Sequence, residues 1–223
     1  MSRLTKQEIK EDAFLEGIYD LWEKVRQNSG LVLGITGALV VIVAGAFLWS
    51  RAQETREAEA RTVLAEASTN YWEGNYPRTV QLADQVMADA GGTHAALDAM
   101  RLKADALFWQ GAFDSAATLY QDILARNRKD GPLRTAVKQS LAFALESNKD
   151  PAGAAALYEE IAAAAPDRTN AADFQIAAGR AWRAAGQADK ARAAFTKVAT
   201  DYRETTFARD AEVALGELEG EAH

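Results

Sequence analysis

The chain has 223 residues, 25 basic and 32 acidic, for a formal net charge of −7, and it has no cysteine. Without cysteine there is no disulfide, thiolate metal site, cysteine nucleophile or lipoprotein anchor. The acidic balance, with no basic domain, argues against nucleic-acid binding as the main role.

Residues 4–28 read as an amphipathic helix. Phe14, Leu15, Ile18, Leu21, Trp22 and Val25 form one stripe at helical spacing, and Lys6, Glu8, Lys10, Glu11, Asp12, Glu16 and Glu23 fall on the opposite side. A lone helix of this kind must bury its stripe. Helices that lie on membranes are usually rich in Lys and Arg, and this one is slightly acidic. Docking on a protein partner is therefore the expectation ahead of simple contact with lipid.

Residues 31–49, LVLGITGALVVIVAGAFLW, carry no charge. As a helix they span about 28 Å, close to the hydrocarbon core of a bilayer. Lys24 and Arg26 precede the stretch, Arg51 follows it, and Trp49 sits where an interfacial aromatic belongs. A cleaved signal peptide fits less well. The preceding tail is long, the apolar core exceeds about 15 residues, and no A-x-A arrangement follows. One transmembrane helix is expected, dividing the chain into an N-terminal segment (1–30), a span (31–50) and a soluble domain (51–223). The positive-inside count does not orient it, since Lys24 and Arg26 on one side nearly balance Arg51, Arg56 and Arg61 on the other.

Small residues recur every four positions in and beside the span. Gly30, Gly34 and Ala38 form one series, and Gly37 and Gly45, with Val41 between them, form another. Such faces let a second helix approach closely. No helix breaker lies between residues 31 and 72, and residues 50–71 are rich in Ala, Glu and Arg. The span is expected to continue into the first helix of the soluble domain.

Beyond it the chain repeats. YWEGNYPRTVQLADQVM, FWQGAFDSAATLYQDIL, ESNKDPAGAAALYEEIA and RAAGQADKARAAFTKVA each end one helix, turn and begin another. The turn positions Gly74, Gly111, Lys149 and Gly186 are separated by 37, 38 and 37 residues. The same steps separate Ala83, Tyr120, Tyr158 and Phe195, and likewise Val86, Ile123, Ile161 and Val198. A constant period of this size marks a helical repeat array. Ala104, Ala116, Ala142, Ala154, Ala178 and Ala191 are placed where paired helices cross, with one bulky side chain filling the gap above. Helices are expected over 54–73, 77–89, 94–110, 113–127, 133–147, 151–164, 168–184, 187–201 and 205–219, with no strand. The last, holding Phe207, Ala211, Val213, Leu215 and Leu218, is expected to cap the stack.

No phosphate loop, dinucleotide fingerprint or nucleophile elbow is present. The two histidines, His94 and His223, are far apart and form no metal cluster. No catalytic, cofactor or metal residue is assigned, and the chain is not expected to be an enzyme.

The spacing Gly111/Phe113/Ala116/Tyr120/Ile123, echoed by Lys149/Pro151/Ala154/Tyr158/Ile161 with Pro166 closing that copy, resembles the tetratricopeptide repeat. The fold expected is therefore all-α: one transmembrane helix, a four-repeat solenoid and a capping helix. In that family the first helix of each pair lines a concave groove. Carrying those positions over gives Tyr71, Arg101, Asp105, Phe108, Gln139, Phe143, Arg180 and Arg183 as candidate partner-binding residues, with Arg61, Ser68, Asp98, Glu146 and Asp173 beside them. The Lys/Asn clamp that captures C-terminal carboxylates is absent, because Leu64/Ser68, Arg101/Asp105 and Ile176/Arg180 stand there.

The layout of charged tail, single span and degenerate repeats also resembles the YfgM-like proteins of the bacterial inner membrane, ancillary subunits of the SecYEG translocon that work with periplasmic chaperones. That resemblance implies a cytoplasmic tail, a periplasmic array and a non-enzymatic adaptor. Its partners would be an integral membrane complex, chaperones or peptides. Two alternatives share the architecture: an accessory subunit of a respiratory or photosynthetic complex, and an envelope assembly factor.

Overall fold

The computed structural model describes residues 29–129 and 131–221. The amphipathic helix expected over 4–28 lies outside the described residues. Among those described, the chain forms nine α-helices and no strand. They are α1 (Ser29–Trp72), α2 (Tyr76–Asp89), α3 (His94–Trp109), α4 (Phe113–Arg126), α5 (Pro132–Ser147), α6 (Pro151–Ala164), α7 (Arg168–Ala184), α8 (Ala188–Asp201) and α9 (Phe207–Glu221). Two compact units result, one ending at Thr55 and the other beginning at Arg56.

The first unit contains the apolar part of α1. Among the described residues this is the one helix long and apolar enough to cross a membrane. Every side chain from Leu33 to Ser50 is exposed, so no described part of the chain covers this surface. A Cβ added at Gly30, Gly34, Gly37 or Gly45 would meet nothing within 4 Å, and Ala38 is exposed among them. At the polar end, the Arg51 guanidinium lies 5.5 Å from the centre of the Phe47 ring.

The second unit is the repeat array, in which helices adjacent in sequence pack against each other from α2 to α9. Its construction follows from the repeated small residues. Ala104, Ala116, Ala142, Ala154, Ala178 and Ala191 are all completely buried at the helix crossings. In the first copy the matching positions are Ala67 and Thr79, also completely buried. There the Thr79 hydroxyl donates to the Ala67 carbonyl at 3.3 Å, across the crossing. Tyr120, Tyr158 and Phe195 occupy the gaps above the crossings, with Ile123, Ile161 and Val198 one turn further on. At the tightest point, a Cβ built on Gly179 would lie 2.4 Å from the Phe195 ring.

Each first helix ends in the same way. The residues after the helix stop are Gly74, Gly111, Lys149 and Gly186, with φ of 78°, 79°, 63° and 71°. The amide of each donates to the carbonyl three residues back, and the next amide donates to the carbonyl five residues back. Gly111 thus bonds Phe108 at 2.9 Å and Ala112 bonds Leu107 at 2.9 Å, the Schellman arrangement. It satisfies carbonyls that the helix end leaves without partners and turns the chain into the second helix. Lys149 holds the left-handed conformation without being glycine.

The last helix departs from its expected face in one detail. Ala211 and Leu218 are buried and Leu215 is partly buried, as the capping reading requires, but Val213 is exposed. A helical face that contains positions 211, 215 and 218 leaves 213 well off its line.

The left-handed site yields a measurable expectation. Replacing Lys149 by Gly removes side-chain strain at positive φ but adds freedom to the unfolded chain. The first effect is the larger, so Lys149→Gly should raise stability by about 0.5 kcal/mol in chemical denaturation. Gly111→Ala should lower it by about 1 kcal/mol.

Candidate functional site

The eight groove positions from the sequence do not converge on one surface feature. Tyr71, Asp105, Phe108 and Phe143 line one cavity of about 270 Å³, together with Trp109, Tyr120 and Ser140. Gln139 lines a separate, larger hollow of about 600 Å³ beside Pro132, Lys138, Glu160 and Ile161. Arg180 and Arg183 line a third, of about 280 Å³, shared with Asp210, Val213 and Glu217 of α9. There Arg183 donates to Glu217 at 2.5 Å, so the capping helix supplies part of that wall. Arg101 lies beside the first cavity, paired with Asp105 at 3.1 Å.

The first cavity draws its lining from α1, α3, α4 and α5. The repeat brings these residues together. Tyr71 and Phe108 hold the same position, three residues before the turn glycine, in successive first helices. Asp105 and Phe143 likewise share one repeat position, six residues before the turn. Tyr120 rises from the second helix beneath them. The aromatic walls are tied to one another. The Trp109 indole N–H donates to the Tyr71 hydroxyl oxygen at 2.9 Å. Phe108 meets Trp109 and Phe113 edge to face at 5.7 and 5.3 Å, and Phe143 meets Tyr158 at 6.2 Å.

Asp105 provides the polar floor. One carboxylate oxygen accepts the Tyr120 hydroxyl at 2.6 Å, and the other accepts Arg101. Burial pushes the Asp105 carboxyl above its ordinary range, against the opposing effects of the Tyr120 hydrogen bond and the Arg101 charge. The Tyr120 phenol is also pushed up, by burial first and then by the neighbouring Asp105 carboxylate. Burial and the acceptor Glu146 do the same to Tyr158, whose hydroxyl donates to that carboxylate at 2.8 Å. Tyr71 is raised by burial as well. All three phenols keep their protons at neutral pH.

Two members of this cavity, Tyr120 and Ser140, were not among the groove candidates read from the sequence, whereas Trp109, like Trp72 and Trp182, reads in sequence as either groove or core and lines it as well. Tyr120 reads in sequence as a packing residue, and its ring does pack. Phe195 at the matching position in the fourth copy points to the difference, because a hydroxyl retained at 120 needs a polar partner. Trp109 and Trp72 are largely exposed, at 60% and 84%. Trp182 instead belongs to the core, with its N–H donated to Glu159 at 2.9 Å and Lys190 4.1 Å from its ring centre. Among the described residues, no group of histidines and carboxylates is arranged to hold a metal ion.

The Tyr120 hydrogen bond predicts an alkaline signature. Above about pH 10 the unfolded chain releases this phenolic proton while the folded chain retains it. The stability it contributes is therefore fully present below that pH and is lost as pH rises further. Tyr120→Phe should cost about 1–2 kcal/mol at pH 7. In urea unfolding, the variant should lose stability less steeply than the parent above pH 10.

The family described as tetratricopeptide repeat-like domain matches residues 22–219. No curated protein matches the sequence. Among solved structures, the chain is similar to nearly identical TPR-like repeats from Podosopora anserina, with 22% identity and a TM-score of 0.58, over 73% of this chain and 86% of that one. A tetratricopeptide repeat protein from Parabacteroides merdae superposes with a TM-score of 0.59 at 12% identity, over 73% of this chain and 60% of its own. BtubC from P. vanneervenii gives a TM-score of 0.54 at 15% identity, over 76% and 84%. These likenesses concern the fold. With nearly the whole length matched by one family, the chain belongs to the tetratricopeptide repeat-like domain proteins.

Proposed function

We propose that this protein is a membrane-anchored, non-enzymatic adaptor. Its repeat array receives or holds proteins at the periplasmic face of a bacterial inner membrane, and its N-terminal segment lies in the cytoplasm. The observation that carries this reading is the combination, on one chain, of an uncovered apolar helix and an interaction repeat. The helix exposes a continuous apolar surface that no described part of the chain covers, which water disfavours and a bilayer does not. Repeats of this family generally serve as scaffolds for other proteins, and the aromatic-lined cavity among Tyr71, Phe108 and Phe143 offers them a foothold. The resemblance to YfgM-like proteins makes a translocon, its chaperones and its emerging clients the favoured partners.

A second reading has one specific observation in its favour. The small positions Gly30, Gly34, Gly37, Ala38 and Gly45 are open along the span, so another helix can approach the backbone. This suits a structural accessory subunit fixed within a larger membrane complex.

Two measurements separate the readings. Photocrosslinkers placed at Tyr71, Phe108 and Phe143 in cells should trap secreted clients or a chaperone, and recovery of neither would sink the adaptor reading. Replacing Gly34, Ala38 and Gly45 by leucine should leave client crosslinking intact if the span only anchors. Dissociation of a stable complex on native gels would favour the accessory subunit.

A further inference from the structure

The Asp105 cavity has a chemistry of its own. Its walls are aromatic on several sides: Tyr71 from α1, Phe108 and Trp109 from α3, and Phe143 from α5. Its floor is a carboxylate that the fold has largely withdrawn from water. A wholly apolar side chain would cover that carboxylate and leave its charge desolvated, which is costly. An anionic side chain would be repelled by it. A cation is favoured twice, by the negative ring faces and by the carboxylate.

The internal partner, Arg101, does not use this opportunity up. It reaches Asp105 through a single contact at 3.1 Å, along the same helix, and its side chain is 43% exposed. The upward displacement of the Asp105 carboxyl persists despite Arg101 and Tyr120, so burial outweighs both compensating groups. The mouth lies open where Trp109 and Phe143 are 60% and 45% exposed. A volume of about 270 Å³ falls below the roughly 300–1,000 Å³ of pockets for drug-sized ligands and suits one long side chain.

The shape distinguishes between cations. A guanidinium is flat, stacks on aromatic faces and spreads several N–H donors in one plane, whereas an ammonium is a compact, strongly hydrated point. The lining offers flat walls and separated acceptors, with the Asp105 carboxylate, the Tyr71 hydroxyl and the Ser140 hydroxyl on different helices. The segment after residue 30 has 20 basic and 26 acidic residues, which also favours a basic visitor.

We propose that the Asp105 cavity is the receptor for an arginine side chain carried on an extended peptide segment of the partner. This rests on the adaptor reading and specifies the feature by which a client is held. Capture of a cation in an aromatic pocket also differs from capture of a terminal carboxylate, for which this chain lacks the residues.

The test uses the full chain in detergent and a random peptide library displayed on phage. Selected peptides should be enriched in arginine. A synthetic peptide of the leading sequence should bind at least about tenfold more tightly than the same peptide with citrulline, its neutral isostere, in place of the arginine. Asp105→Asn should erase that preference while leaving the thermal melt close to that of the parent. Phe143→Ala, at a half-exposed position, should weaken binding of the arginine peptide several-fold, and it carries the test if Asp105→Asn does not fold. Peptides without arginine, equal affinity for the citrulline form, or a preference that survives both variants would each overturn the proposal. Equal binding of a lysine version would overturn the guanidinium assignment. If peptides of another kind compete with the crosslinked clients, the adaptor reading stands and only the arginine receptor falls. Failure to select any peptide, together with absence of crosslinks, removes both.

Discussion

The closeness of paired helices at their crossings governs the rest of the repeat unit. Alanine at both contact positions lets the backbones approach until no solvent reaches either side chain, and only then does the wedge above become narrow enough for one aromatic ring to fill. Gly179 marks the limit, since a single added carbon there would meet the Phe195 ring. The left-handed turn follows from the same demand, because a chain leaving one helix must reverse within a few residues to stay in contact with it. Crossing, ring and turn are three parts of one geometry, and this is why they recur together at a common spacing.

That common spacing made most of the fold readable in the sequence. The helices, their order, the turn positions and the buried alanines follow from a period that places equivalent residues 37 or 38 apart. Even Lys149, which breaks the glycine pattern, was identifiable by register alone, and its positive φ is the conformation the register demands. The site was less legible. Groove positions inferred from the repeat specify a helix face, but a cavity depends on which side chains lean together across neighbouring helices. Gln139 and Arg180 occupy groove positions yet border other hollows, and Arg180 stands two repeats on from Asp105 in an array whose repeats contact only their neighbours. Tyr120 shows the converse. Periodicity assigns its ring to the core and says nothing of where its hydroxyl will point.

The polar atoms carried into the interior explain why the copies are not interchangeable. Tyr120 and Tyr158 bring hydroxyls to the same structural level, and each is met by a carboxylate, Asp105 in one case and Glu146 in the other. These acids come from different repeat positions, so the two copies satisfy the same need in different ways. Phe195 has no such need. The repeat is therefore uniform in its apolar packing and individual in its hydrogen bonds. The individual part is what gives the Tyr120 gap a half-buried carboxylate, Asp105, where the Tyr158 gap has the exposed Glu146.

Ala83 in the first copy has a consequence for dynamics. It takes the place of the ring found in the other three copies, so the early helices are held by two small clusters, one around Ala83, Val86 and Ala99 and one around Ala67, Leu82 and Leu102. The later copies share a single extended cluster that runs from Ala142 to Leu218. In an array whose cohesion is the sum of nearest-neighbour contacts, such a gradient separates the chain into zones that open independently. Amide protons of α2, whose buried apolar side chains lie in those two clusters, would exchange with solvent before those of α7 and α8. The array would then be a graded spring, yielding first at its early helices and staying firm at its C-terminal end.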